Sequence, residues 1–85
     1  MNVRLSKHAL REMARRGISR DIVEGVLAVL AQKAPEHGAI VCYQSVVEID
    51  QKPYLVRVMV NETAAPPTVV TVYRTSNIEK YWRTT

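Results

Sequence analysis

The chain's 85 residues hold twelve Lys or Arg against eight Asp or Glu, a net charge of +4, with 47% hydrophobic residues and no phenylalanine. A chain of this size makes one domain, residues 1–85, that buries only roughly 60–65% of its unfolded surface, so an internal cofactor pocket is not expected. The lone Cys42 excludes an intrachain disulfide and suits a reducing cytoplasm, and no apolar run approaches the ~20 residues of a membrane span.

The first element is a basic helix. Ser6 is its N-cap, with Leu5 placed to staple Leu10. Ala9, Leu10, Met13 and Ala14 read as its apolar face, and His8, Arg11, Glu12 and Arg15 share another. Gly17 fits the left-handed position that ends a helix, and Ser19 caps the next one, with Ile18 stapling Val23. Residues 1–20 carry Arg4, Lys7, Arg11, Arg15, Arg16 and Arg20 against Glu12 alone, a local charge of +5, while the rest of the chain nearly balances. A positive field concentrated in this way attracts polyanions, nucleic acid above all.

The second helix is predicted over Arg20–Gln32, with Ile22, Val23, Val26, Leu27 and Leu30 on one stripe. Lys33–Gly38, holding Pro35 and Gly38, reads as a loop. Ala39–Tyr43 and Ser45–Asp50 read as one bent strand or two short ones. Tyr54–Asn61 is the clearest strand, with Tyr54, Val56, Val58 and Val60 alternating against Leu55, Arg57, Met59 and Asn61. No Gly or Asn lies between these runs, so a four-residue loop over Gln51–Tyr54 is expected, placing Glu48 opposite Arg57 and keeping Val47 and Ile49 on the core face. Glu62–Pro67 is a turn. Thr68–Arg74 follows as a strand with Val70 and Val72 on one face and Val69, Thr71 and Tyr73 on the other. Ser76-Asn77-Ile78-Glu79 has the form of a capping box, so the chain ends in a short helical turn. These elements predict an α+β domain: two N-terminal helices packed on a three- to four-stranded antiparallel sheet.

His8 stands in the cationic face. An imidazole beside guanidinium groups suits removal of a proton from a hydroxyl next to a phosphate, although a first-turn histidine can also simply face water. Arg57 can hold a phosphate through its planar fork or pair with Glu48 across the strands. Tyr81 and Trp82, flanked by Lys80 and Arg83, can stack on unpaired bases or serve as edge packing. His8, His37 and Cys42 lack a fourth partner and the usual close-spaced pairs for zinc, and there is no phosphate-cradling glycine loop, so neither a metal nor a cofactor is expected. The helix–Gly–helix segment is not a DNA reader by this sequence, since Asp21 and Glu24 open the would-be recognition helix.

Ser-Lys-His-Ala-Leu-Arg-Glu-Met-Ala-Arg-Arg-Gly-Ile-Ser at 6–19, Tyr-Leu-Val-Arg-Val-Met-Val at 54–60 and Val-Val-Thr-Val-Tyr-Arg-Thr-Ser-Asn-Ile-Glu-Lys-Tyr-Trp at 69–82 together resemble a family of small bacterial domains of unknown function, numbered four-two-five-eight. That family is grouped with RelE-like and barnase-like RNA-cleaving toxin folds. The resemblance implies a metal-independent endoribonuclease, with the family's polar positions at His8, Arg11, Arg15, Arg57, Thr71, Tyr73 and Lys80. Gln51 departs from the glycine expected after Asp50. On this basis the catalytic candidates are His8 as base, Arg15 as charge stabiliser, and Tyr73 or Lys80 as acid or oxyanion partner. Lys7, Arg11, Arg16, Arg57, Thr71, Arg74, Tyr81 and Trp82 are the RNA-binding candidates. The alternative is a non-catalytic basic module that binds RNA or an acidic, antitoxin-type protein. A cytoplasmic location with no membrane attachment is expected in either case.

Overall fold

The computed structural model describes residues 2–29 and 32–83. The elements are β1 (Arg4–Leu5), α1 (Lys7–Arg16), α2 (Arg20–Ala28), β2 (Gln32–His37), β3 (Ile40–Ile49), β4 (Lys52–Asn61), β5 (Thr68–Thr75) and α3 (Ile78–Tyr81). One five-stranded sheet runs in the order β1-β5-β4-β3-β2. Its four long strands are antiparallel, and β1 adds to β5 in parallel, which makes the sheet mixed. The α+β layout is as expected, with more strands than the hydrophobic pattern announces.

The helix boundaries follow their caps. The Ala9 N–H donates to Ser6 Oγ at 3.0 Å, and the same hydroxyl donates to the Val70 carbonyl at 3.1 Å, so one side chain both starts α1 and fixes it to β5. Gly17 takes φ 65° and its neighbour Ile18 donates to Met13 O at 2.9 Å, closing the helix. Ser19 Oγ then accepts from Ile22 N–H at 3.2 Å and opens α2. The buried stripe of α1 is narrower than its sequence suggests. Ala9 and Met13 are buried, Ala14 is exposed and Leu10 is half exposed. Helix α2 stops at Ala28, four residues before the expected end, and Leu30 lies outside the described residues.

The expected loop over Lys33–Gly38 is instead mostly strand β2, paired with β3 from Gln32↔Gln44 onward. Proline is tolerated there because β2 is the sheet's edge, and a register shift between Pro35 and His37 ends the regular pairing. The β3–β4 hairpin also corrects the sequence reading. Ile49 pairs with Lys52, so Asp50 and Gln51 form a two-residue turn, with φ 51° and 67°. Register is thereby displaced: Glu48 faces Pro53, and Arg57 faces Gln44. Val47 and Ile49 do pack against the core. At the other end Ala65–Pro66 is cis within the expected turn.

A bulge between Met59 and Val60 changes the facing of β5. Val69 and Val72 are fully buried in the core, whereas Val70 is only half-buried and lines a shallow groove with Met59 and Thr71. The expected pairing of Val70 with Val72 fails because the extra residue breaks the period of two. The core itself joins Ala9, Met13, Ile18, Val23, Val26 and Leu27 of the helical layer to Tyr43, Val56, Val58, Val60, Val69 and Val72 of the sheet. Among the described residues, no helix is long and apolar enough to cross a membrane.

Candidate functional site

The sheet face turned away from α1 and α2 is polar at its centre. Gln32, Gln44, Arg57 and Tyr73 are successive cross-strand partners on β2, β3, β4 and β5, forming one row across four strands. Gln44 is fully buried and Arg57 is 8% exposed. A guanidinium so placed is stable only if its donors are met, and they are. Nε donates to Gln44 Oε1 at 2.9 Å, Nη1 donates to the Tyr73 hydroxyl, and Nη2 meets Glu36 Oε1 at 2.8 Å. Burial pulls the Arg57 pKa down, but the Tyr73 bond and nearby negative charge outweigh it, and the group stays above its ordinary value.

Aromatic rings complete the cluster. The Arg57 guanidinium lies 4.5 Å from the Tyr81 ring centre and 5.5 Å from that of Tyr73, and the two rings meet edge to face at 6.3 Å. Arg16 of α1 approaches the Tyr73 ring at 5.9 Å. Burial raises the Tyr73 phenol above its usual value, and the Arg57 bond offsets part of that rise. Because the phenol oxygen accepts from Arg57, its own proton remains available to donate. Cys42 lies fully buried beside this row, its Sγ 3.8 Å from Gln44 Oε1, and burial pushes its thiol up.

Helix α1 runs along β5. It starts where Ser6 meets Val70 and ends where Gly17 adjoins the Arg74 guanidinium. Glu12 and Arg16 lie on the half-buried flank next to β5, with His8 exposed on the same stripe at four-residue spacing. Arg16 Nε donates to Glu12 at 3.1 Å and Arg15 pairs with the same carboxylate at 3.7 Å. The Arg16 bond in particular holds Glu12 below the usual carboxylate range.

The structure thus gathers Arg16, Arg57, Tyr73 and Tyr81 from the residues singled out by sequence. Lys80 stands at the border of that group, its ammonium 5.2 Å from the Tyr81 ring. His8, Arg11, Arg15 and Lys7 remain on the exposed side of α1, and Arg16, rather than Arg15, reaches Tyr73. Thr71 lies one row away, opposite Met59. Trp82 lines a separate groove with Val46 and Ile78. Arg74 falls on the helix-covered side, its guanidinium 4.6 Å from the Tyr54 ring, with Nη1 buried and unbonded among the described residues.

Glu36, the actual charge partner of Arg57, and Gln32 and Gln44, its supports, were not legible as site residues. Two of them stand on β2, Glu36 where Pro35 and Gly38 suggest a loop and Gln32 where the sequence predicts the end of the second helix. The signal for the third was a glutamine inside an apolar strand, a residue that is rarely buried unless its amide is paired. Among the described residues, no group of three His, Cys, Asp or Glu side chains converges as a metal site.

No curated protein and no solved structure matches the chain at the significance required of a relative. A family model does match, over residues 5–74, a span that holds both long helices and strands β2, β3 and β4 whole, and all of β1 and β5 but one end residue each. The chain belongs to the family described as Domain of unknown function (DUF4258).

Proposed function

We propose that this domain is a metal-independent endoribonuclease that engages RNA along the flank of α1 beside β5, in the manner of RelE-like and barnase-like toxins. The observation that carries the reading is the Tyr73 phenol, fixed by Arg57, flanked by Arg16 and set beside the basic helix α1, within the first 20 residues whose net charge is +5. In the reaction, His8 takes the proton of a ribose 2′-hydroxyl, whose oxygen attacks the neighbouring phosphorus. The bond to the 5′-oxygen breaks, and Tyr73 supplies the proton that this leaving oxygen takes up. A 2′,3′-cyclic phosphate and a 5′-hydroxyl result. Arg15 and Arg16 meet the charge that grows on the phosphate, and an acidic antitoxin-type protein fits the same cationic surface. Glu12 lies one helical turn closer to Tyr73 than His8 does, so it is the other candidate base.

The test is cleavage of mixed RNA in chelator, with and without ribosomes. His8→Ala or Tyr73→Phe should lower the rate by roughly 10²–10⁴, the usual weight of acid–base help. RNA blocked at the 2′-hydroxyl should survive. Unchanged cleavage in both variants would refute the assignment, and loss only in Glu12→Gln would transfer the base to that carboxylate. A second reading, RNA binding without cleavage, is favoured by one feature: all three Arg57 nitrogens are already engaged within the protein. On that reading no RNA is cut, and Arg11→Ala with Arg15→Ala weakens binding and flattens its salt dependence.

A further inference from the structure

The segment that follows β5 folds back over the polar row. Tyr81 lays its ring on the Arg57 guanidinium at 4.5 Å, and its carbonyl accepts from Gln44 Nε2 at 3.1 Å. Arg83 is held at both of its backbone polar groups by one side chain. Its N–H donates to Gln32 Oε1 at 3.0 Å, and its carbonyl accepts from Gln32 Nε2. Gln44 in turn donates to Gln32 Oε1 at 2.8 Å, which fixes the orientation of that amide.

This combination has a chemical signature. A flat π-system stacked on a guanidinium plane is how proteins seat an unstacked base. A glutamine amide that offers one donor and one acceptor side by side is how they read a base edge. The covering segment supplies a protein version of both halves: the Tyr81 ring for the base plane, and the Arg83 peptide groups for the donor–acceptor edge. Its own anchorage is slight. Helix α3 has four residues, none buried, and Asn77 makes no side-chain cap bond. Polar contacts to Gln32 and Gln44, the Tyr81 ring on Arg57 and edge-to-face on Tyr73, and the half-buried Ile78 and Trp82 hold it down.

We infer that Tyr81–Arg83 is an internal stand-in for an unpaired nucleobase, and that the Ile78–Arg83 segment swings off Arg57 when single-stranded RNA binds. The inference rests on the RNA reading above and names the part of the RNA that this face recognises. It also gives the engaged state of Arg57 a purpose, since its bonds to Gln44, Glu36 and Tyr73 keep the guanidinium plane fixed while leaving one face to be covered or stacked upon.

Two variants test it: a chain ending at Asn77, and Tyr81→Ala in the full chain. The probes are adenosine, cytidine, guanosine and uridine 5′-monophosphates, with ribose 5-phosphate as the base-free control. At least one nucleotide should bind roughly tenfold more tightly to either variant than to the parent, the weight of about one stacked base, with ribose 5-phosphate unchanged. In the parent, adding single-stranded oligoribonucleotide should make Trp82, the chain's single tryptophan, more open to quenching by acrylamide. Equal gains for ribose 5-phosphate, or no gain for any nucleotide, would overturn the inference, as would quenching unchanged by bound RNA. Should the shortened chain fail to unfold cooperatively, Tyr81→Ala decides alone. Nucleotide binding without RNA cleavage upholds the base seat and removes the ribonuclease, whereas RNA cleavage with nucleotide affinity unchanged does the reverse.

Discussion

The two faces of this sheet are buried by different physics. The face under α1 and α2 is closed by aliphatic side chains, and its stability follows from area withdrawn from water. The opposite face has at its centre a guanidinium and two amides, closed by hydrogen bonds and by one short C-terminal segment. The first arrangement is non-directional and tolerates small shifts. The second is directional: each donor needs its acceptor in place, and a lost partner leaves a buried polar group unmet. A small domain that spends part of its thin interior on such a row has the row, rather than the core, as its candidate site.

The sharpest way to break the comparison is to damage each face in turn. Leu27→Ala, on the buried face of α2, should cost about 2–5 kcal/mol in urea unfolding, with no change in nucleotide binding. Arg57→Met should cost less, about 1–3 kcal/mol, because the methionine fills part of the space while Gln44 and Tyr73 lose a partner. Its effect on RNA engagement should nevertheless be the larger of the two. Arg74→Met supplies the control. The Arg74 Nη1 is buried with no hydrogen bond among the described residues, a cost that offsets the guanidinium's contact with the Tyr54 ring, so its removal should change stability by less than about 0.5 kcal/mol or raise it. Equal losses for Arg57→Met and Arg74→Met would show that the hydrogen-bonded row has no special weight.

The hairpin turn offers a smaller effect of opposite sign. Gln51 adopts φ 67°, where glycine has no steric cost, and Gln51→Gly should stabilise the protein by about 1 kcal/mol. The least effect is expected from pH. Glu62 is held below its usual range, first by Lys33 and then by Tyr43, and Glu12 likewise by Arg16. A carboxylate with a depressed folded pKa adds stability above its unfolded value, and that contribution is lost as pH falls through the folded one. Denaturant midpoints should therefore decline as acid passes below the ordinary carboxylate range, and Glu62→Gln should make the decline shallower. Both carboxylates are near the surface, so the change is modest.

Much of the fold was legible because caps and periodicity are local. Ser6, Gly17 and Ser19 each mark a helix end through their own side chain or lack of one. The strand Tyr54–Asn61 declares itself by alternation. What was not legible depends on tertiary choice. Pro35 reads as a loop residue unless its strand is known to lie at an edge. Asp50 and Gln51 do not advertise a two-residue turn, since neither is glycine, yet the hairpin places both at positive φ. The register error that followed gave Arg57 the wrong partner, Glu48 for Glu36, and so concealed the composition of the site even though Arg57 and Tyr73 were named. The bulge in β5 likewise exchanged Val70 for Val69 in the core. The basic face of α1 was correctly placed outside, but Arg16, at the inner border of that face, is the arginine that meets the sheet.

The edge strand β2 bears on how this molecule meets others. Pro35 has no N–H to offer, and the irregularity that follows it turns the last residues out of register. A neighbour seeking to extend the sheet by backbone pairing would find the ladder interrupted within a few residues, a common guard against stacking into fibrils. At the opposite rim, α1 lies along β5 beyond the short β1 pairing. Backbone pairing is therefore disfavoured along the β2 edge, which leaves side-chain surfaces, where charge and shape can discriminate, as the ground a companion would have to use there.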